Sequence, residues 1–131
     1  MKKIVIDTSA IIAVILNEPE REKLIELTKN SILIAPYSVH WEIGNALSAM
    51  FKRKRIKFEE AKQAIQLYKQ IPIKFIDIDL IESLEMAKIE GMYAYDAYLL
   101  LSSKNCNAPL LTLDKKLIEV AQENKIKLIE V

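Results

Sequence analysis

The chain reads Ile4-Val5-Ile6-Asp7-Thr8-Ser9 near its start, an apolar run that ends on a carboxylate. A continuous Val/Ile run is typical of a parallel strand that is buried on both faces. In open α/β sheets, ligands bind beyond the carboxyl ends of the strands. Asp7 therefore ends the first predicted strand at the edge where a functional site is expected.

Short apolar strands alternate with helical patterns along the rest of the chain. The predicted strands are residues 3–7, 31–35, 73–78, 110–113 and 127–131, and the predicted helices are residues 10–16, 20–29, 39–54, 58–70, 79–90, 96–104 and 115–124. This alternation predicts an α/β fold, with a parallel sheet of about five strands covered by helices on both faces. At 131 residues, the chain is expected to form one domain, residues 1–131.

Polar residues and glycines mark several helix ends. Ser38 is predicted to cap the helix 39–54, and Asp79 with Glu82 resembles a capping box. Gly91 is placed to end the helix that Asp79 begins. Gly44 lies inside the helix 39–54, where it costs some helix stability, and close packing would explain it.

The composition is that of an ordinary soluble globular domain. Nineteen basic and eighteen acidic side chains nearly cancel, so any affinity for nucleic acid must come from a local patch. Cys106 is the single cysteine; it cannot form an internal disulfide, and we interpret it as a core residue. The apolar run 10–16 is too short to span a bilayer, and no signal-peptide cleavage site follows it. We therefore expect a cytoplasmic protein.

Four acids occupy strand ends or helix starts: Asp7, Glu42, Asp96 and Asp114. Asp7 and Asp114 each follow an apolar strand, and capping of the next helix is the alternative explanation for both. Glu42 would also be favoured by a helix dipole alone, but it adjoins the apolar face of its predicted helix. Asp96 lies in an aromatic and apolar stretch, and buried charges are rarely without a partner.

Carboxylates gathered at one edge of a sheet would repel one another unless a cation held them. Oxygen ligands without a cysteine or histidine cluster suit Mg²⁺ or Mn²⁺ and not zinc. His40 is the only histidine, so we interpret it as structural or surface-exposed. A hydrated Mg²⁺ suits phosphate chemistry, because it can bind phosphate oxygens and activate water.

Two basic runs are candidates for contacts with a nucleic-acid backbone. A solvated helix end favoured by the helix dipole is the alternative explanation for the first run. The residues are Lys52, Arg53, Lys54 and Arg55 in the first run, and Lys115 and Lys116 beside Asp114 in the second.

The chain resembles the PIN-domain ribonucleases, and in particular the VapC-type toxins of toxin–antitoxin pairs. Four segments in this order carry the resemblance and extend over essentially the whole chain. They are Ile4-Val5-Ile6-Asp7-Thr8-Ser9-Ala10, Pro36 followed by Glu42-Ile43-Gly44-Asn45-Ala46-Leu47, Tyr95-Asp96-Ala97-Tyr98-Leu99-Leu100, and Leu111-Thr112-Leu113-Asp114-Lys115.

The resemblance implies an endoribonuclease that depends on one or two Mg²⁺ or Mn²⁺ ions. By this similarity Asp7 and Asp96 are the principal metal ligands, and Glu42 and Asp114 complete the acidic catalytic cluster. Attack by metal-activated water would leave a 5′-phosphate and a 3′-hydroxyl. The positions that support the cluster are Thr8, Ser9 and Thr112. The resemblance further implies a homodimer and a small antitoxin that fills the acidic cleft.

Three other functions are alternatives for a chain with this pattern. A phosphoryl-transfer enzyme of the haloacid-dehalogenase type needs a second Asp two residues after the first, and that position is Ser9. A receiver-like switch needs paired acids near the first strand, which Asp7 lacks, although Asp77 lies near the third strand. The remaining alternative is a non-catalytic PIN-like module that binds RNA or protein; it would be favoured if an acid were missing.

Overall fold

The computed structural model describes all residues 1–131, which form four strands and seven helices. The strands are β1 (Lys2–Ile6), β2 (Ser31–Pro36), β3 (Ile73–Ile76) and β4 (Leu110–Leu111). The helices are α1 (Thr8–Ile15), α2 (Arg21–Thr28), α3 (Tyr37–Lys52), α4 (Phe58–Tyr68), α5 (Leu80–Glu90), α6 (Ala94–Cys106) and α7 (Lys115–Glu123). None of these helices is long and apolar enough to cross a membrane.

The sheet is parallel throughout, in the order β3-β2-β1-β4. Val5 in β1 pairs with Ile34 on one side and Leu110 on the other, so β1 is central. The carboxyl ends of all four strands consequently point the same way. The predicted parallel α/β architecture is confirmed, and the predicted site edge is the edge at which β1 and β4 end.

Helices cover both faces of the sheet. Successive strand residues point to opposite faces, and Ile4, Val5 and Ile6 are all at least 96% buried. Helix α6 packs against β1, β2 and β4 and pairs with α5, whereas α1 packs against α2, α3 and α4. This three-layer packing explains why β1 reads as a continuous apolar run.

The predicted fifth strand, residues 127–131, is reduced to a single parallel bridge between Leu110 and Leu128. Leu110 N–H donates to Lys127 O, and Ile129 N–H donates to Leu110 O. The pairing stops there because β4 is only two residues long. Beyond Leu111 the chain turns away from the sheet, and the Leu113 amide donates to the Ser9 hydroxyl instead.

The predicted cap at Ser38 is wrong, whereas the two helix ends predicted around α5 are confirmed. Helix α3 begins at Tyr37 with Pro36 in the capping position, so β2 runs directly into it. Proline has its φ fixed near the helical value, which lets a helix begin without a capping side chain. Asp79 accepts from Glu82 N–H at 2.9 Å, and Gly91 ends α5 in the left-handed conformation.

The expectation of close packing at Gly44 is also wrong. Gly44 is exposed on α3, and a Cβ built on it meets no atom within 4 Å. Cys106, predicted as a core residue, is half-buried and packs against the core from the end of α6.

The two glycines predict opposite effects of alanine. We expect Gly44→Ala to stabilise the protein by about 0.5–1 kcal/mol, because alanine is the better helix former and the added methyl meets nothing. Gly91→Ala should destabilise it by about 1–2 kcal/mol, because φ is +65° there and an L-residue is strained at that angle. Urea unfolding of the two variants beside the wild type measures both. Equal destabilisation would contradict the open environment of Gly44.

Candidate active site

Asp7 is a buried carboxylate that joins the end of β1 to the start of α1. It is 4% exposed and forms the N-cap of α1, accepting from Ala10 N–H at 3.1 Å. The hydroxyl of Ser9 donates to its Oδ1 at 2.8 Å, and the hydroxyl of Thr112 donates to its Oδ2 at 2.5 Å. The sequence offers a helix cap and a functional site as alternative explanations of Asp7. In the structure the same side chain caps α1 and lies at the carboxyl edge of the sheet.

Thr112 connects this carboxylate to a second one. While its hydroxyl donates to Asp7, its oxygen accepts from Asp114 N–H at 3.0 Å. Asp114 in turn caps α7 by accepting from the backbone N–H groups of Lys116 and Leu117. The ends of β1 and β4 are therefore held together through one threonine.

Glu42 reaches the same edge from the second turn of α3. The hydroxyl of Thr8 donates to Glu42 Oε2 at 2.7 Å. Glu42 Oε1 is buried and has no hydrogen-bond partner. A buried polar atom without a partner is costly, so this oxygen is a candidate ligand atom for a bound group.

The four acids line one cavity of about 480 Å³, which we call the acid cleft. Asp96 enters it from the first turn of α6 and is half-buried. The remaining lining is partly apolar. The full set is Asp7, Thr8, Ser9, Ile12, Glu18, Glu42, Ala46, Ala49, Met50, Arg53, Tyr95, Asp96, Leu99, Leu113, Asp114 and Leu117.

Burial and mutual repulsion raise the pKa values of three of these acids. Burial is the main cause for Asp7, whose pKa is lowered in part by its three donors and raised further by the charge of Asp114. Burial likewise raises the pKa of Glu42, with the Thr8 hydrogen bond opposing it and the charges of Asp7 and Asp96 adding to it. Burial, followed by the charge of Asp114, raises the pKa of Asp96, and Lys116 opposes both.

These repulsions link the four carboxylates in a ring, which a bound cation would relieve. The side chains do not form a closed ligand shell, since no group of three or more acids, histidines or cysteines is arranged to hold an ion by itself. Three donors make four contacts with Asp7, because the hydroxyl of Ser9 lies within hydrogen-bond distance of both of its oxygens. Glu42 Oε1 has no such contact, so it is the carboxylate oxygen best able to accept a ligand. The donor set fits a hydrated hard cation such as Mg²⁺, which retains several waters and few carboxylates.

Arg53 is the member of the first basic run that the acid cleft contains. Lys54 and Arg55 line a separate cavity beside α4, together with Lys57. Lys116 lies over the ring of Tyr93 at 5.4 Å, and its charge acts on Asp96. Lys52 and Lys115 line neither of these two cavities.

The sequence reasoning missed Glu18, which faces the acid cleft from the turn after α1. The signal in the sequence is the preceding Asn17, because asparagine readily ends a helix in the left-handed conformation, as it does here. His40 is exposed, as expected. Its Nδ1 is 2.8 Å from the hydroxyl of Tyr68, and it takes no part in the acid cleft.

The family of the chain follows from its sequence. The sequence model of the PIN domain family matches residues 4–123. The chain belongs to the PIN-domain family. The predicted resemblance is thereby confirmed, and the acid cleft lies within the matched part of this PIN domain.

Individual relatives of this PIN domain agree with that assignment. Ribonuclease VapC9 of Mycobacterium tuberculosis is 27% identical over 120 residues, which cover 91% of each protein. PAE2754 from Pyrobaculum aerophilum has a similar fold, with a TM-score of 0.71, 22% identity, and coverage of 91% of this chain and 79% of that one. The structure of VapBC2 from Rickettsia felis, bound to a DNA fragment from their promoter, matches with a TM-score of 0.67, 18% identity and 97% coverage of each chain.

We expect the metal-free PIN domain to become more stable as the pH falls from 7 toward about 5. The raised pKa values of Asp7, Glu42 and Asp96 mean that the folded state binds more protons than the unfolded chain in this range. Their stabilising contribution is fully present below the ordinary carboxyl values of 3.8 and 4.5 and is lost as the pH rises through the raised values. Thermal melts in chelator across this range measure the effect.

Asp96→Asn is the test variant, and Asp77→Asn, which changes an exposed acid outside the cleft, is its matched control. Asp96→Asn should raise the melting temperature at pH 7 by about 2–5 °C and flatten the pH dependence. Adding Mg²⁺ should stabilise the wild type more than Asp96→Asn. Identical behaviour of the two variants would mean that the acids of the cleft do not repel one another.

Proposed function

We propose that this protein is an endoribonuclease dependent on one or two Mg²⁺ or Mn²⁺ ions and the toxin of a toxin–antitoxin pair. The observation that carries the proposal is the convergence of Asp7, Glu42, Asp96 and Asp114 on one cleft, where an oxygen of Glu42 has no partner. The 27% identity to ribonuclease VapC9 supports the choice of RNA as the substrate.

The chemistry that such an ion supplies when bound is polarisation of phosphate oxygens and activation of water. Asp7 and Asp96 are the side chains that would hold it, with Glu42 and Asp114 contributing directly or through water. Asp7 is fixed in place by three hydrogen bonds, so it needs little reorganisation when the substrate binds. The acids are coupled, so the proton released by the attacking water is taken up by the cluster and not by one assigned base.

Arg53 is the residue best placed to bind the RNA backbone at the cleft. It lines the acid cleft at the end of α3, and a guanidinium can hold two phosphate oxygens at once. Lys116 lies near Asp96 and would reach the backbone from the other side. Lys52, Lys54, Arg55 and Lys115 are proposed only as more distant contacts, because they lie outside the cleft.

Water as the nucleophile gives a product with a 5′-phosphate and a 3′-hydroxyl. A non-catalytic PIN-like module remains the alternative function. It would not need four acids in one cleft, because their mutual repulsion weakens the fold and disfavours binding of an anionic backbone in the absence of metal.

We expect the purified protein, free of any antitoxin, to cleave RNA with Mg²⁺ or Mn²⁺ and to stop when chelator is added. Asp7→Asn and Asp96→Asn should each reduce the cleavage rate by about 10²-fold or more, because each removes a charge from the proposed metal site. Gel analysis of a labelled RNA, with chemical identification of the new ends, measures rate and products. Full metal-dependent cleavage by both variants would refute the assignment.

Matched basic variants control for a general effect of charge in the same assay. Arg53→Ala should raise KM and lower the cleavage rate, whereas Arg55→Ala, from the same run but outside the acid cleft, should change both less. Both variants remove one positive charge from an exposed helix end. Only the position relative to the cleft therefore distinguishes them.

We further propose that the protein forms a homodimer through α5 and binds a small antitoxin at the acid cleft. Helix α5 carries four apolar side chains that are 61–76% exposed: Leu80, Ile81, Leu84 and Ile89. Apolar side chains on one short helix are typical of an interface. The similarity to VapBC2 from Rickettsia felis supports a protein partner, and its place at the cleft is part of the proposal. A cytoplasmic location agrees with the proposed RNA substrate.

Sedimentation of the purified protein should give a dimer, and Leu84→Glu should shift it to a monomer without changing the circular dichroism spectrum. Leu67→Glu, on α4, is the control because Leu67 is also exposed but lies away from α5. Mass analysis of protein purified from its native operon should show a small second chain. A monomeric wild type would contradict the dimer proposal.

A further inference from the structure

A second cavity of about 690 Å³ adjoins the acid cleft, and we call it the aromatic cavity. It lies between α3 and the start of α6. Its lining is Thr8, Ser38, Trp41, Glu42, Asn45, Ala46 and Tyr95. Its volume is within the range of about 300–1,000 Å³ typical of ligand sites.

The two cavities are adjacent. They share four lining residues: Thr8, Glu42, Ala46 and Tyr95. When a chain presents a phosphate to the acids, its neighbouring unit therefore lies close to the aromatic cavity.

Two large aromatic rings are left exposed in this cavity. Trp41 is 75% exposed and Tyr95 is 59% exposed, although each could have been buried elsewhere at a gain in stability. Each ring has a nearly perpendicular aromatic neighbour: His40 lies 4.9 Å from Trp41, and Tyr98 lies 5.9 Å from Tyr95. His40 also lies within hydrogen-bond distance of the Tyr68 hydroxyl. Both rings thus contact a neighbour while more than half of each residue stays exposed.

Polar atoms beside the rings add directional contacts. Ser38 Oγ is buried and has no partner, and the amide of Asn45 lies on the exposed side of α3. Flat rings next to unpaired donors and acceptors match a nucleobase, which offers a π-face for stacking and a polar edge for hydrogen bonds. An acidic ligand would suit this cavity poorly, because its charged residue is Glu42.

We propose that Trp41 and Tyr95 are substrate-binding residues that stack on the bases next to the phosphate that is cut. Bases in a duplex are already paired and stacked on their neighbours, and a protein ring cannot reach their faces. The inference rests on the proposed ribonuclease function and deepens it by naming the residues that bind the bases.

Trp41 is the single tryptophan of the chain and reports directly on its own contacts. The experiment titrates the protein with three RNA probes of equal length, with Ca²⁺ in place of Mg²⁺. Ca²⁺ offsets the charge of the acids, and we expect it to be a poorer activator of water than Mg²⁺. The probes are an unpaired oligonucleotide, the same strand in a duplex, and a ribose–phosphate oligomer without bases. The unpaired RNA should quench the fluorescence, while the duplex and the abasic oligomer should not, although they carry the same charge on each strand.

Binding of labelled unpaired RNA is then measured by anisotropy for the variants. Trp41→Ala and Tyr95→Ala should each weaken binding by roughly 10-fold or more, and Trp41→Phe should restore most of the affinity. Phe58→Ala is the matched control, since Phe58 is 58% exposed but lies outside both cavities. Circular dichroism verifies that the exposed positions tolerate the changes.

Three results would overturn the stacking proposal. If Trp41→Ala and Tyr95→Ala bind and cut unpaired RNA like the wild type, stacking is wrong while the ribonuclease function stands. If the same variants keep their RNA affinity but lose the copurifying small protein, the aromatic cavity docks that protein instead. If the wild type neither binds nor cuts RNA with metal present, the proposed function fails and stacking fails with it.

Discussion

The buried carboxylate of Asp7 is the contact on which the rest of the site depends. Removing an ionised carboxylate from water costs several kcal/mol unless hydrogen bonds replace its hydration. Here Ser9, Ala10 and Thr112 replace it, and they belong to the start of α1 and the end of β4. The charge thus fixes where two chain segments meet, and Asp114 is placed by the same threonine. Without this contact the central strand and the edge strand would still pair, but their ends would not converge on one cleft.

The position of that contact depends on the packing of the sheet beneath it. Ile4, Val5 and Ile6 are buried between α6 on one face and α1 with the helices packed against it on the other, so β1 holds Asp7 at a defined place. The carboxylates of the acid cleft lie at the edge of the core, where burial and mutual repulsion both disfavour their ionised forms. Proteins commonly retain such local instability where function requires it. The acid cleft therefore destabilises the fold, and either protonation or a bound cation would relieve that destabilisation.

Local chemistry made part of this predictable from the sequence. The apolar run before Asp7 and the glycine at position 91 each depend on a few neighbouring residues, and both predictions hold. The cap at Ser38 failed because Pro36 can begin a helix alone, and the last strand shrank because its partner β4 is short. Arg53 was predicted only as part of a basic run. Its place in the acid cleft depends on how α3 packs against α1, α4 and β2, which no local pattern encodes.

Helix α3 links the two cavities through neighbouring residues. Trp41 and Glu42 are consecutive, and consecutive helical side chains diverge by about 100°, so one turn can present a ring to the aromatic cavity and a carboxylate to the acids. The next turn repeats the division with Asn45 and Ala46. The buried side chains Val39, Ile43 and Leu47 set the rotation of this helix, and the hydroxyl of Thr8 orients the Glu42 carboxylate. One helix rotation therefore sets both the proposed metal-facing oxygen and the proposed stacking surface, so the two parts of the site cannot be adjusted independently.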